Sequence, residues 1–167
     1  IAHLIETFGA AEAIFAASEE QLRTQGGIVR QSVIGDIRAR VGFKAAEKEL
    51  DYCQKHHIYA IAATDTVYPP LLRECADRPH ILFVQGNLAA LSKPSVAFVG
   101  TRTITNYGQQ VGQRLIEQLH DKVADISIVS GLAFGNDESA HRAALEVGAT
   151  TVAVIASALP EVTPAAN

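Results

Sequence analysis

Apolar residues recur at two different spacings along this chain, and the change of spacing divides it. From Ile1 to about residue 45 they fall three and four apart, in IAHLIETFG, AAEAIFAAS and EEQLRTQGG, which is the period of short helices with one buried face. Ser18, followed by Glu19, Glu20 and Gln21, is a helix start of the capping-box type. Gly9, Gly26 and Gly27 stand where helices end. FKAAEKELDYCQKHH (43–57) predicts one amphipathic helix with Phe43, Ala46, Leu50 and Cys53 on a single face.

Beyond residue 57 the apolar residues run together instead. IYAIAA (58–63) predicts a strand. Tyr68-Pro69-Pro70 fits neither a strand nor a helix interior, so an irregular turn and a short helix are expected there. ILFVQGN (81–87) predicts a second strand that closes on a Gly-Asn turn. A repeated rhythm follows: strand SVAFVG (95–100), helix 106–121, strand DISIVSG (125–131), helix 137–148, strand TTVAVIASAL (150–159). Alternation of strand and helix implies parallel pairing through right-handed crossovers. Strands apolar on both faces belong in a parallel sheet covered on both sides. The expected fold is α/β, a Rossmann-like doubly wound parallel sheet, incomplete at its C-terminal end. A small all-helical domain precedes it, resembling SAM or helix-hairpin-helix modules. The expected domains are 1–45 and 46–167.

Composition narrows this picture. Hydrophobic residues make up 48% and charged residues 19%, so a packed core is available and disorder is excluded as a class. The net charge of −4 argues against a broad electrostatic grip on nucleic acid and leaves room for a local basic pocket. Cys53 and Cys75 make neither a metal spacing nor a disulfide framework, and read as reduced thiols of a cytoplasmic protein. No apolar run approaches the ~18 residues of a membrane span, so no membrane partner is expected. The chain begins at Ile1 and has no methionine, which reads as a portion of something longer.

Ligands of such sheets bind beyond the carboxyl ends of the strands, and three stretches fall there. In VGTRTITNYG (99–108), Gly100 permits a sharp exit, Thr101 offers a hydroxyl and Arg102 a fork of donors suited to phosphate. Asn106 is the expected helix cap, with Tyr107 and Gly108 in the first turn. In SGLAFGNDESAHRAAL (130–145), Ser130, Gly131, Ala133, Phe134 and Gly135 form a loop whose amides can surround an anion. Asn136 or Asp137 then caps a helix, and His141 shares a face with Asp137. LPEVTPAAN (159–167) is rich in turn formers and would close over the same edge. Taken singly, each feature is ordinary turn or cap chemistry. Two neighbouring strands ending in glycine loops, one with an arginine, together point to a phosphate or nucleotide site. GxGxxG is absent after SVAFVG, and GxxxxGK[ST] is absent throughout, so the dinucleotide and P-loop fingerprints both fail. No cofactor and no metal are expected.

YPPLL (68–72), PHILFVQGN (79–87), VAFVGTR (96–102), YG (107–108), IVSGLAFGNDESAHRAAL (128–145), TTVAVIA (150–156) and TPAAN (163–167) closely resemble the DNA-processing protein A family, DprA or Smf. The match is collinear over some hundred residues from Tyr68. The resemblance implies an extended Rossmann-like domain that binds single-stranded DNA. It implies protection of incoming strands in natural transformation, loading of a RecA-type recombinase, a homodimer, and no enzymatic activity. By position, Arg102 is expected to hold a DNA phosphate on a turn shaped by Gly100 and Thr101, with Tyr107 and Gly108 beside it. Ser130, Gly131, Ala133 and Gly135 would form the second anion-binding loop. Asp137 would cap the helix and His141 would buttress the loops. This sequence departs from the family pattern in three places. Asn136 stands for an isoleucine, Phe134 for a residue that is basic in many members, and Thr163 for a tyrosine. Phe134 gives up a phosphate contact and offers a ring for base stacking.

Two other readings stand beside this one. Nucleotide-processing hydrolases of the lysine-decarboxylase-like (LOG) type use the same sheet edge. Their PGGxGTxxE element has no counterpart here, and Glu138 lies at a different offset. A degenerate domain that binds nothing is the third.

Overall fold

The computed structural model describes residues 1–25 and 29–161. Gly26 and Gly27, expected to end a helix, lie outside the described residues, as do TPAAN and its Thr163. The chain divides into two compact units, Ile1–Lys55 and His56–Asn167.

The first unit is helical: α1 (Ala2–Phe8), α2 (Ala11–Ala16), α3 (Glu19–Thr24), α4 (Gln31–Arg38) and α5 (Phe43–Lys55). Its core is small, with Ile14, Ala17, Leu22 and Ile34 buried among Leu4, Ile5, Phe8, Val29 and Ile37. Ser18 opens α3 with a reciprocal capping box. Its hydroxyl accepts from the Gln21 amide, and the Gln21 side chain accepts from the Ser18 amide. Gly9 closes α1 at φ 81° with its amide on the Ile5 carbonyl. The boundary expected at 45/46 falls instead after Lys55, and α5 groups with the helices. The Phe43 ring meets Phe15 edge-on at 4.9 Å, and the Arg40 guanidinium covers its face at 5.4 Å. The stripe expected on α5 is buried only at Cys53, and Leu50 is exposed.

The second unit begins with an antiparallel pair, β1 (Ile58–Ala62) and β2 (Ile81–Gln85), in register from Ile58↔Gln85 to Ala62↔Ile81. The Tyr-Pro-Pro turn between them is a structural staple. Tyr68 is fully buried, and its hydroxyl donates to the Pro79 carbonyl at 2.7 Å. Arg73, at the end of α6 (Pro70–Arg73), donates to the Ala63 and Asp65 carbonyls, with its guanidinium over the Tyr68 ring. A 3-10 turn (Leu88–Ser92) leads into the parallel sheet.

That sheet has the order β3 (Ser95–Ala97), β4 (Ser127–Ser130), β5 (Thr150–Ala153), joined by α7 (Asn106–Lys122) and α8 (Asn136–Glu146). Both pairings are parallel, Ser95↔Ser127 and Ser127↔Thr150 setting the register. Right-handed crossovers that advance in one direction bring both helices to one face, and α7 packs directly on α8. Ile116 and Ile128 are fully buried among Ala140, Ala143, Ala144 and Ala149, with Phe98 against them. The alanines of α8 let helix and sheet approach closely. At the amino ends of the strands, Lys93 reaches both Asp125 (3.0 Å) and Thr150 (2.9 Å).

The strands are shorter than their apolar runs. The last run, expected to be a strand over 150–159, ladders only to Ala153, with one further bond from the Val154 amide to the Ser130 carbonyl. Among the described residues β5 has a single neighbour, so nothing holds the rest of the run extended. No described helix is long and apolar enough to cross a membrane.

Candidate functional site

The loops after β3 and β4 meet at the carboxyl edge of the sheet. In the first, Gly100 abuts Asn136: a Cβ at position 100 would lie 2.7 Å from Asn136 Cγ. Thr101 closes a short turn, its hydroxyl oxygen accepting from the Thr103 amide at 3.2 Å. Its carbonyl accepts from the Asn136 amide at 3.0 Å. Arg102 is exposed and makes no ion pair or hydrogen bond among the described residues. The cap of α7 is Thr105 and not Asn106: the Thr105 hydroxyl accepts from the Gly108 amide at 3.1 Å, and Asn106 is the first helical residue. The clue is local: threonine is itself a favoured cap, and it stands one residue before Asn106. Tyr107 stands in the first turn with its ring largely in solvent.

The second loop turns its polar groups inward. The Ser130 hydroxyl donates to the Phe98 carbonyl at 2.6 Å and is buried, so it joins β4 to β3. The expected cap role of Asp137 is corrected: α8 starts from Gly135 with no side-chain cap, and Asp137 sits inside its first turn. Its carboxylate points back into the loop, accepting weakly from the Ala133 amide at 3.4 Å. A Cβ on Gly131 would stand 2.9 Å from the same carboxylate oxygen. The concavity expected to hold an external anion therefore holds the side chain of Asp137. The Gly131 and Phe134 amides have no partner among the described residues, and the Phe134 ring is half exposed.

Gly135 joins the two loops. Its φ of 86° is open to glycine alone, and a Cβ there would come within 2.5 Å of the Thr101 and Arg102 carbonyl oxygens. The backbone that carries Arg102 thus rests on Gly135, one residue from Phe134.

His141 braces the helix rather than the loops. Its Nδ1 lies 2.6 Å from the Thr151 hydroxyl on β5, and that hydroxyl donates to the Ile128 carbonyl at 3.0 Å. Nδ1 must then carry the proton. Burial pushes the His141 pKa down, and the nearby Asp137 carboxylate partly offsets this. Asp137 and His141 turn to different partners and form no acid–base pair. Glu138 is taken up by Arg142 at 2.9 Å. No cluster of metal-ligating side chains occurs among the described residues.

The assembled edge offers an exposed guanidinium, two exposed rings at Tyr107 and Phe134, and two loops fixed by close backbone contact. A parallel sheet of this order with helices crossing between its strands is a Rossmann-like domain. Residues 59–167 match the family described as DNA recombination-mediator protein A, and the chain belongs to that family. It is 36% identical to protein Smf of Escherichia coli over 121 residues, which are 72% of this chain and 32% of that protein. It is 43% identical to DNA processing protein DprA of Streptococcus pneumoniae over 103 residues, 62% of this chain and 36% of that one. The crystal structure of DNA processing protein A from S. pneumoniae superimposes with a TM-score of 0.73 at 33% identity, over 90% of this chain and 50% of that chain. The chain thus spans about a third of these curated relatives and half of the solved structure.

Proposed function

We propose that this chain carries the single-stranded-DNA-binding part of a recombination mediator. In this reading it shields incoming strands during natural transformation and passes them to a RecA-type recombinase, acting in the cytoplasm as part of a homodimer. The observation that carries the reading is Arg102, exposed and without a partner among the described residues, on a turn that Gly135 holds in place. A guanidinium without an internal partner is available to a phosphate, and its forked donors suit one. Tyr107 and Phe134 supply faces on which bases stack without regard to sequence. The net charge of −4 favours a grip concentrated at one point over a broad basic groove. The reading assigns no catalytic residue, since Asp137 and His141 are engaged in building the fold.

Fluorescence anisotropy with a labelled single-stranded oligonucleotide at several salt concentrations tests this. Affinity is expected to fall with salt at a logarithmic slope near 0.7 per phosphate neutralised. Arg102→Ala is expected to weaken binding about tenfold or more. A folded wild-type chain that binds no strand at low salt overturns the reading.

A further inference from the structure

Behind the second loop lies a cavity of about 320 Å³, walled by Leu132, His141, Leu145, Thr151 and Ala153, with the Glu138–Arg142 pair alongside. Its size is at the lower end of ligand pockets, which begin near 300 Å³. Three unfavourable features converge on its wall. Leu132 holds a left-handed backbone, φ 68°, which is uncommon for a bulky residue and recurs where structure serves a ligand. Leu145 is 68% exposed beside an apolar space. His141 is buried, and its Nε2 has no hydrogen-bond partner among the described residues. Because Nδ1 donates to Thr151, Nε2 is an acceptor, and a buried acceptor left unmade is costly.

We propose that this cavity receives one unstacked nucleobase of a bound strand, its Watson–Crick edge donating to His141 Nε2. The inference rests on the single-stranded DNA reading above. A nucleobase matches the wall in both respects. Its faces are flat and suit Leu132, Leu145 and Ala153. Its edge carries N–H groups, and extruded bases are read through that edge. The cavity adjoins the loop that a strand would follow, since Leu132 belongs to both. Nε2 is itself fully covered, so the base must displace the wall side chains around it to reach that atom.

The experiment compares two oligonucleotides of equal length, oligothymidylate and an abasic strand with the same phosphates, on the wild type and on Ala153→Ile. The substitution fills the cavity from the sheet with a residue that favours strands. Oligothymidylate affinity is expected to fall about tenfold in Ala153→Ile while abasic affinity stays unchanged. Equal loss for both strands, or no loss for either, overturns the inference and leaves the DNA-binding reading standing. Failure of the wild type to bind either strand overturns both. The ¹⁵N resonance of His141 Nε2 in the wild type is a second readout that needs no variant. It is expected to shift on adding oligothymidylate and to stay in place with the abasic strand. A resonance unmoved by oligothymidylate overturns the inference.

Discussion

The two loops at the sheet edge look alike in sequence and are built for opposite ends. Both leave a parallel strand, both carry a glycine there, and both run into a helix. The first keeps its charge outside: Arg102 has no partner among the described residues, and Thr101 and Thr105 settle the backbone around it. The second keeps its charge inside. Asp137 fills its own loop, and Ser130 is tied to the neighbouring strand. One loop is an outward hand, the other the bracket that steadies it, and Gly135 is where they touch. Glycines after strands therefore mark a meeting of backbones, and whether a loop shows its charge or hides it is decided by where the charged side chain finds its partner.

Gly135→Ala attacks the contact itself and should have the largest effect. A Cβ forced against two carbonyl oxygens at a left-handed φ is expected to cost roughly 3 kcal/mol or more, seen as a fall in urea midpoint, with DNA affinity lost as well. Ser130→Ala and Arg102→Ala then separate bracket from hand. The first removes a buried hydrogen bond and is expected to cost about 1 kcal/mol of stability. The second is expected to leave stability within about 0.5 kcal/mol, its effect confined to binding. Equal destabilisation by both would erase the distinction between the loops. The smallest effect is one of slope. His141 is held below its usual pKa by burial, so the folded state prefers the neutral ring. Its contribution is present above the unfolded-state value of about 6.5 and is lost as pH falls through the lowered folded value. Urea titrations from pH 7.5 to 5 should show stability declining, and His141→Asn should flatten that decline. Asn is the choice because its amide can reproduce the Nδ1 donor to Thr151.

The alternation of strands and helices in the second unit was readable because buried runs and amphipathic spacing look different over a few residues. So was the meeting of the loops after β3 and β4, since a parallel sheet gathers such loops at one edge. What the local sequence does not encode are contacts between distant residues. The Thr101–Asn136 bond and the crowding of Gly100 by Asn136 exist only once two strands are side by side. Asp137 reads as a cap because aspartate before a helix usually is one; here Gly135 has already turned the chain, and the carboxylate faces the loop instead. The grouping of α5 with the helices rests on a contact of the same kind, Phe43 on Phe15, which lies well back in the chain. Among the described residues β5 pairs with β4 alone, and its ladder ends where β4 ends, at Ser130↔Ala153.

The crossing of the loops at Gly135 also sets a timetable. A growing chain that has just exposed Arg102 has the residue and none of its geometry. The turn acquires its support only after β4 has been made, has paired with β3, and has delivered Gly135 and Asn136 to the Thr101 carbonyl. Until then, the loop is an ordinary flexible segment with one positive charge. The geometry around Arg102 should therefore appear abruptly during synthesis, at the chain length that frees the start of α8, rather than growing in proportion to the residues made.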